Sequence, residues 1–508
     1  MKTKIFFDFL FLGLILGISY SFIFLLPVIV FIYFSFLKKI YKIKLNLEGF
    51  VVSWVFGTGF FIGSMHWMVN PFLVYEKHFY LLPLGALVFP VLMGLFFTIP
   101  TSLIILSRKY FQFLSVKIFL NSFVVSFFFF LSEILRSKLF GGLPLNLTAQ
   151  IWAFNSELIQ GAKIFGVYGI SFLTILWLIL ISNLLIEKKI KTSVLTIFFF
   201  PLILLSFNLL NKDFKKKNEV SIRVVQPNIS QSEKWNRVFF EKNIERLINL
   251  SLQGNDMKTP KIVVWPEVAL TLYLNEELEF VEYLRDKLPP NITLVTGALR
   301  RVLEDNKFKI YNSLYVINDD IVFHYDKKKL VPFGEFIPLR NFINFLKLTP
   351  GSTDFSAGVK PSHLEINFEN KKISFEPSIC YEAIFQTFYD KDSELMINIT
   401  NDAWFGKTIG PRQHLSSQIF RAVEKSTPLV RSANSGISVV TDENGKIFKK
   451  ILLNTQGFID VRLSLKKSQT FFEKNKNYST VILIFLVFLL FYLIDIFYHL
   501  KMNPKSKI

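Results

Sequence analysis

Long uncharged stretches separated by short basic loops fill the first 210 residues, and the same signature returns once near the C-terminus. A hydrocarbon layer about 30 Å thick needs roughly 20 apolar residues per helix. Runs of that kind predict about eight membrane helices, over 6–20, 22–37, 50–72, 80–106, 118–135, 162–186, 193–210 and 480–499. The first two form either one overlong helix or a hairpin broken near Ser19-Tyr20-Ser21. Between 219 and 463 the period changes, and short β-rich runs such as 220–225, 261–265, 293–296, 314–317, 373–375, 395–399 and 437–440 alternate with polar amphipathic stretches. That spacing predicts a layered α/β domain. The expected division is a transmembrane domain over 1–211, a soluble catalytic domain over 212–478, and a last helix with its tail over 479–508.

Charge then orients the chain. Alternate loops carry Lys38, Lys39, Lys42 and Lys44, then Arg108, Lys109 and Lys117, then Lys188, Lys189 and Lys191, and finally Lys501, Lys505 and Lys507. The opposite loops hold only Lys77, Arg136 and Lys138. Cytoplasmic loops concentrate Lys and Arg, so residues 211–479 are expected outside the cytoplasm. Lys2 and Lys4 precede the first apolar run without a small-residue cleavage site, which reads as an uncleaved anchor. Much of the excess behind the net charge of +19 flanks the apolar runs and has its cause in this topology, so a nucleic-acid partner is not expected. Glu133 and Arg136, at the end of the fifth run before Gly141-Gly142-Leu143-Pro144, read either as a helix-end ion pair with a turn or as a lipid-headgroup contact.

One cysteine excludes an intramolecular disulfide, and the six histidines, at 66, 78, 324, 363, 414 and 499, show no metal-ligand spacing, so no metal is expected. Three residues sit just after strand-like runs, where a sheet can hold a side chain in a loop. They are Glu267 in Trp265-Pro266-Glu267, Lys327 in the run 325–335, and Cys380 before Tyr381-Glu382. Singly, each has a plain reading: a small buried hydrophobe for Cys380, a first-turn helix residue for Glu267, a solvated cation for Lys327. Together they supply a nucleophile, a base and an oxyanion cation, because a thiol needs a proton acceptor or a neighbouring cation to become a strong nucleophile.

The order Trp-Pro-Glu, Tyr-x-Lys-x-x-Leu-Val-Pro-Phe-Gly-Glu and Cys-Tyr-Glu resembles the Glu-Lys-Cys triad of the nitrilase superfamily. With seven spans before that domain and one after, the chain resembles the apolipoprotein N-acyltransferase family along nearly its whole length. Gln226-Pro227-Asn228, Lys234-Trp235, Tyr311-Asn312-Ser313, 401–406 and 431–436 add to the likeness. The resemblance implies an αββα nitrilase sandwich with an α-helical membrane domain, and no cofactor. It implies transfer of an acyl group from a phospholipid, typically phosphatidylethanolamine, through a Cys380 thioester to the N-terminal amine of a diacylglyceryl-cysteine lipoprotein. By motif position, Glu335, Tyr381 and Glu382 support the site and Trp235 lies at its entrance. The implied location is the bacterial inner membrane, with the catalytic domain on the periplasmic side. The competing expectation is a membrane-tethered amidase acting on a small C–N substrate.

Overall fold

A computed structural model describes residues 3–43, 47–111, 117–210, 218–254, 261–318, 322–338, 353–359, 364–368, 371–386, 393–465 and 469–502. The expected boundary at 211 and 212, and the basic residues Lys44, Lys505 and Lys507, lie outside the described residues. The chain forms two compact units. One comprises Met1–Val69, Tyr80–Lys212 and Lys474–Ile508, the other Asn70–Phe79 and Asp213–Glu473.

The first unit is built from α1 (Thr3–Ser19), α2 (Leu26–Ile40), α3 (Leu47–Met65), α4 (Phe89–Tyr110), α5 (Ile118–Lys138), α6 (Ala162–Ile186) and α7 (Ile190–Ser206), with one more helix, Asn477–Met502, near the C-terminus. Seven helical stretches among the described residues are long and apolar enough to cross a membrane. The remaining apolar helix, α1, has 17 residues, at the short end of what spans a bilayer. The chain is a multi-pass membrane protein. The long N-terminal run is two helices: the chain turns at Tyr20 and Ser21, Phe22 is extended, and Pro27 sits in the first turn of α2. Small residues bring α1 against α3 backbone to backbone: a Cβ on Gly13 would strike the Phe56 carbonyl oxygen, and one on Gly59 the Leu10 carbonyl oxygen. Glu133 and Arg136 do not spend themselves on each other. Arg136 donates to the carbonyls of Leu143 (2.8 Å) and Leu145 (2.5 Å), closing the turn, while Glu133 accepts from the Thr148 hydroxyl (2.6 Å) and amide (2.9 Å).

The second unit holds thirteen strands among its described residues. They are β1 (Asn218–Gln226), β2 (Lys261–Val264), β3 (Leu270–Tyr273), β4 (Ile292–Glu304), β5 (Lys307–Ile317), β6 (Val322–Asp326), β7 (Leu364–Phe368), β8 (Lys371–Ile379), β9 (Leu395–Thr400), β10 (Leu429–Ala433), β11 (Ser438–Thr441), β12 (Ile447–Ile451) and β13 (Gly457–Leu465). One sheet runs β13-β1-β2-β4-β5-β6 with β3 beside β4, the other β12-β11-β10-β9-β8-β7. Each has a parallel centre, β1-β2-β4 and β8-β9-β10, flanked by antiparallel strands.

Strand side chains alternate between faces, and here both faces of the central strands are buried. Val220, Ile222 and Val224 point inward to meet Phe375, Ile397 and Val430 of the other sheet. On the first sheet's outer face, Val263 and Leu294 pack under α8 (Phe240–Leu252) and α9 (Leu278–Lys287). Arg223, on that same face, donates to the Ser251 (2.7 Å) and Gln253 (2.6 Å) carbonyls and so closes the end of α8. The second sheet's outer face carries α10 (Gly410–Lys425), tied to β10 through Gln418 and Arg431. The order helix, sheet, sheet, helix is the expected αββα sandwich.

Candidate active site

Parallel strands leave their C-terminal ends together, and loops there converge on one crevice. Glu267 follows β2, Lys327 follows β6 and Cys380 follows β8. All three are buried, Lys327 to 1% exposure. The following two residues of the lysine run are half-buried and exposed, so the plain reading of a solvated cation fits Lys329 and fails for Lys327.

The Lys327 ammonium donates to Glu335 Oε1 at 2.8 Å and to Glu267 Oε1 at 3.3 Å. Asn312 on β5 spans the same two carboxylates, at 2.8 Å from Glu267 and 3.1 Å from Glu335. Burial works against the ammonium, but Glu335 and Glu267 outweigh it and hold its pKa above the ordinary lysine range. Lys327 therefore stays a cation throughout the physiological range. Glu335 is fixed in turn by the Val331 amide at 2.9 Å.

Cys380 opens a short 3₁₀ turn, Cys380–Ile384, with a left-handed backbone, φ +48°. A residue with a Cβ adopts that conformation at a cost of about 1–2 kcal/mol, which a strand-to-turn elbow uses to project its side chain. Burial pushes the thiol up to about 12 and the charge on Glu267 adds to this, while Lys327 pulls the other way. The resting group is thus a neutral thiol facing a carboxylate and a cation. A thiol in that state is a strong nucleophile only when its proton is removed as the new bond forms.

Glu382 holds the elbow. Its Oε2 accepts from the Ile379 amide (2.8 Å), and its Oε1 from the Tyr325 hydroxyl (2.9 Å) and the Lys328 (2.7 Å) and Lys329 (3.2 Å) amides. Burial raises its pKa, and the backbone amides offset part of that. Tyr381 is half-buried with its ring edge-on to Phe385, and burial raises its phenol. Trp235 ends the turn Gln231–Lys234, half-buried, its indole nitrogen without a hydrogen-bond partner among the described residues.

Two contributors had been quoted only as parts of motifs, with no role given. Asn312 is one. Lys234 is the other: its ammonium donates to the Glu267 carbonyl at 2.8 Å, and burial lowers its pKa to about 8. Beneath the Glu267 loop, β4 offers Gly297, where a Cβ would lie 2.7 Å from the Pro266 oxygen and 2.8 Å from Glu267 Cα. A Gly297→Ala change must push that loop outward. It is expected to lower turnover about 100-fold, the effect of a misplacement near 1 Å, while thermal unfolding shows the fold retained.

Residues 12–180 match the family model described as apolipoprotein N-acyltransferase N-terminal domain, and residues 221–471 match the carbon-nitrogen hydrolase model. Among curated relatives, the apolipoprotein N-acyltransferase of Rickettsia prowazekii is 31% identical over 98% of this chain and 99% of its own. That of Rickettsia bellii is 31% identical over 96% of this chain and 97% of its own. A relative of the same name from Rhizobium rhizogenes is 32% identical, covering 82% of this chain and 80% of its own. Matches of this extent across both the membrane half and the αββα sandwich show that the chain belongs to the apolipoprotein N-acyltransferase family.

Proposed function

We propose that the protein acylates the N-terminal amine of diacylglyceryl-cysteine lipoproteins, taking the acyl group from a phospholipid, phosphatidylethanolamine in the first instance. Glu267 takes the thiol proton as Cys380 sulfur bonds to the ester carbonyl carbon, and Lys327 stabilises the oxyanion. The carbon–oxygen bond then breaks. The lysophospholipid oxygen leaves with the proton from Glu267, and the acyl group stays as a thioester. In the second half-reaction the lipoprotein amine attacks that carbonyl and Glu267 takes its proton; the carbon–sulfur bond breaks, and Glu267 returns the proton to the departing sulfur, restoring thiol and carboxylate. Glu335 and Glu382 hold the cation and the elbow, while Trp235 and Tyr381 meet substrate at the entrance.

The observation that carries this reading is the buried ammonium of Lys327 spanning two carboxylates beside the neutral Cys380 thiol. The membrane helices support the substrate class, since donor and acceptor are both held in a bilayer and meet an anchored enzyme already oriented. The Lys and Arg of the alternate loops support the accompanying location, the inner membrane with residues 212–478 on the periplasmic side.

The test is incubation of the purified protein with acyl-labelled phosphatidylethanolamine. The expected result is a hydroxylamine-sensitive label, absent from Cys380→Ala and discharged to the N-terminus of an added diacylglyceryl peptide. Label on the alanine variant removes the assigned nucleophile. Ammonia release from a small amide without lipid supports the tethered amidase instead.

A further inference from the structure

A second polar network, which shares no hydrogen bond with Lys327 or Glu267 among the described residues, takes no part in the chemistry above. Asp402, just past β9, is buried; its Oδ2 accepts from Arg431 Nη2 at 2.6 Å and its Oδ1 from His414 Nδ1 at 2.9 Å. The other ring nitrogen, His414 Nε2, donates to the Cys380 carbonyl oxygen at 2.9 Å. A carbonyl oxygen only accepts, so Nε2 is the donor in that contact, and Arg431 Nη2 also reaches Nδ1 at 3.3 Å. Asp402 Oδ1 also accepts from the Thr400 hydroxyl at 3.2 Å. One carboxylate therefore reaches the main chain of Cys380 through His414.

The anchor of this network is rigid. Arg431 on β10 donates through Nη1 to Asn398 (3.0 Å) and Gln418 (2.7 Å) and through Nε to the Ile437 carbonyl (3.2 Å), the Phe405 ring stands edge-on to His414, and only glycine fits at 436, where a Cβ would strike Asp402 Oδ2. Burial opposes ionisation of Asp402, but Arg431 and His414 outweigh it and hold its carboxyl at about 2. A left-handed residue at the head of a turn relaxes unless its peptide groups are held. Glu382 holds the amide of Ile379, before the elbow, and His414 holds the elbow's own carbonyl.

We propose that His414 and Asp402 are positioning residues that lock the Cys380 elbow. This rests on the reading of Cys380 as the acyl-accepting nucleophile. A plainly structural polar cluster is the alternative, and the readouts are chosen to separate the two.

The test uses the full chain in lipid nanodiscs, comparing wild type with His414→Ala and His414→Gln. Glutamine places an amide N–H near the position of Nε2. The expected result is a 10- to 100-fold fall in kcat for thioester formation in His414→Ala, with KM for phospholipid within about twofold. Recovery of roughly tenfold is expected in His414→Gln, at a thermal midpoint no higher than that of His414→Ala. Wild-type rates in His414→Ala, or no recovery in a stably folded His414→Gln, overturn the proposal. Because the chain has one cysteine, iodoacetamide adduct mass reads the elbow without acyl chemistry. Faster alkylation in folded His414→Ala, reversed in His414→Gln, supports the lock even if lipid labelling fails, and equal rates in all three overturn it.

Discussion

Lys327→Met is expected to reduce acyl transfer by about 10³-fold or more and to destabilise the soluble domain at the same time. The two effects share one cause. The ammonium is the hydrogen-bonding cation between Glu267 and Glu335, all three groups being buried. Removing one partner of a buried ionic cluster leaves charge uncompensated, at about 3–5 kcal/mol. The site avoids part of that by keeping a proton between the two carboxylates, and a protonated Glu267 cannot act as base. The sign of the pH dependence follows. The folded variant binds a proton that its unfolded chain has released above the carboxylate range, so its stability deficit grows from pH 5 to pH 8. Thermal unfolding of variant and wild type at those two pH values measures it. A deficit that shrinks toward pH 8, or turnover within tenfold of wild type, sinks this account of the lysine.

Glu382→Gln comes next in size, although it changes the side chain by a single atom. Both oxygens of Glu382 accept from backbone amides, Oε2 from Ile379 and Oε1 from Lys328 and Lys329. Whichever way a carboxamide is turned, its NH₂ faces an amide donor. An unsatisfied buried donor costs about 1–3 kcal/mol, and here the misfit falls on both the cysteine elbow and the lysine loop. The expected outcome is a loss of about 2–4 kcal/mol in stability and a fall in turnover of at least ~100-fold. Denaturant titration beside steady-state acylation reads both. A glutamine variant as stable and active as wild type shows that the amides find other partners.

Much of this architecture is legible in the chain, for identifiable reasons. Uncharged runs of membrane length cannot easily be anything else, and β-branched runs such as 220–225 and 395–399 each became a strand. The break between α1 and α2 was not legible, because Ser19, Tyr20 and Ser21 interrupt the apolarity too weakly to separate a hairpin from a long helix. Strand order was equally hidden: β13 lies beside β1 although some 230 residues separate them in the chain. Glu267, Lys327 and Cys380 stood out through their motifs, yet nothing local announced Asn312 or His414 as their neighbours. One signal was present. Strand β9 is buried along its whole length, so Asn398 and Thr400 within it required partners on the second sheet and its helix.

The antiparallel pairing of β1 with β13 places Asn218 directly opposite Leu465. Opposed residues in such a ladder have Cα atoms about 5 Å apart, so the sandwich starts and finishes at nearly one point. A module with adjoining ends can be inserted into, or excised from, a host sequence without stretching either. On this geometry a freestanding design needs two pieces: the segment 218–465, entered and left at one place, and Asn70–Phe79, which belongs to the same compact unit.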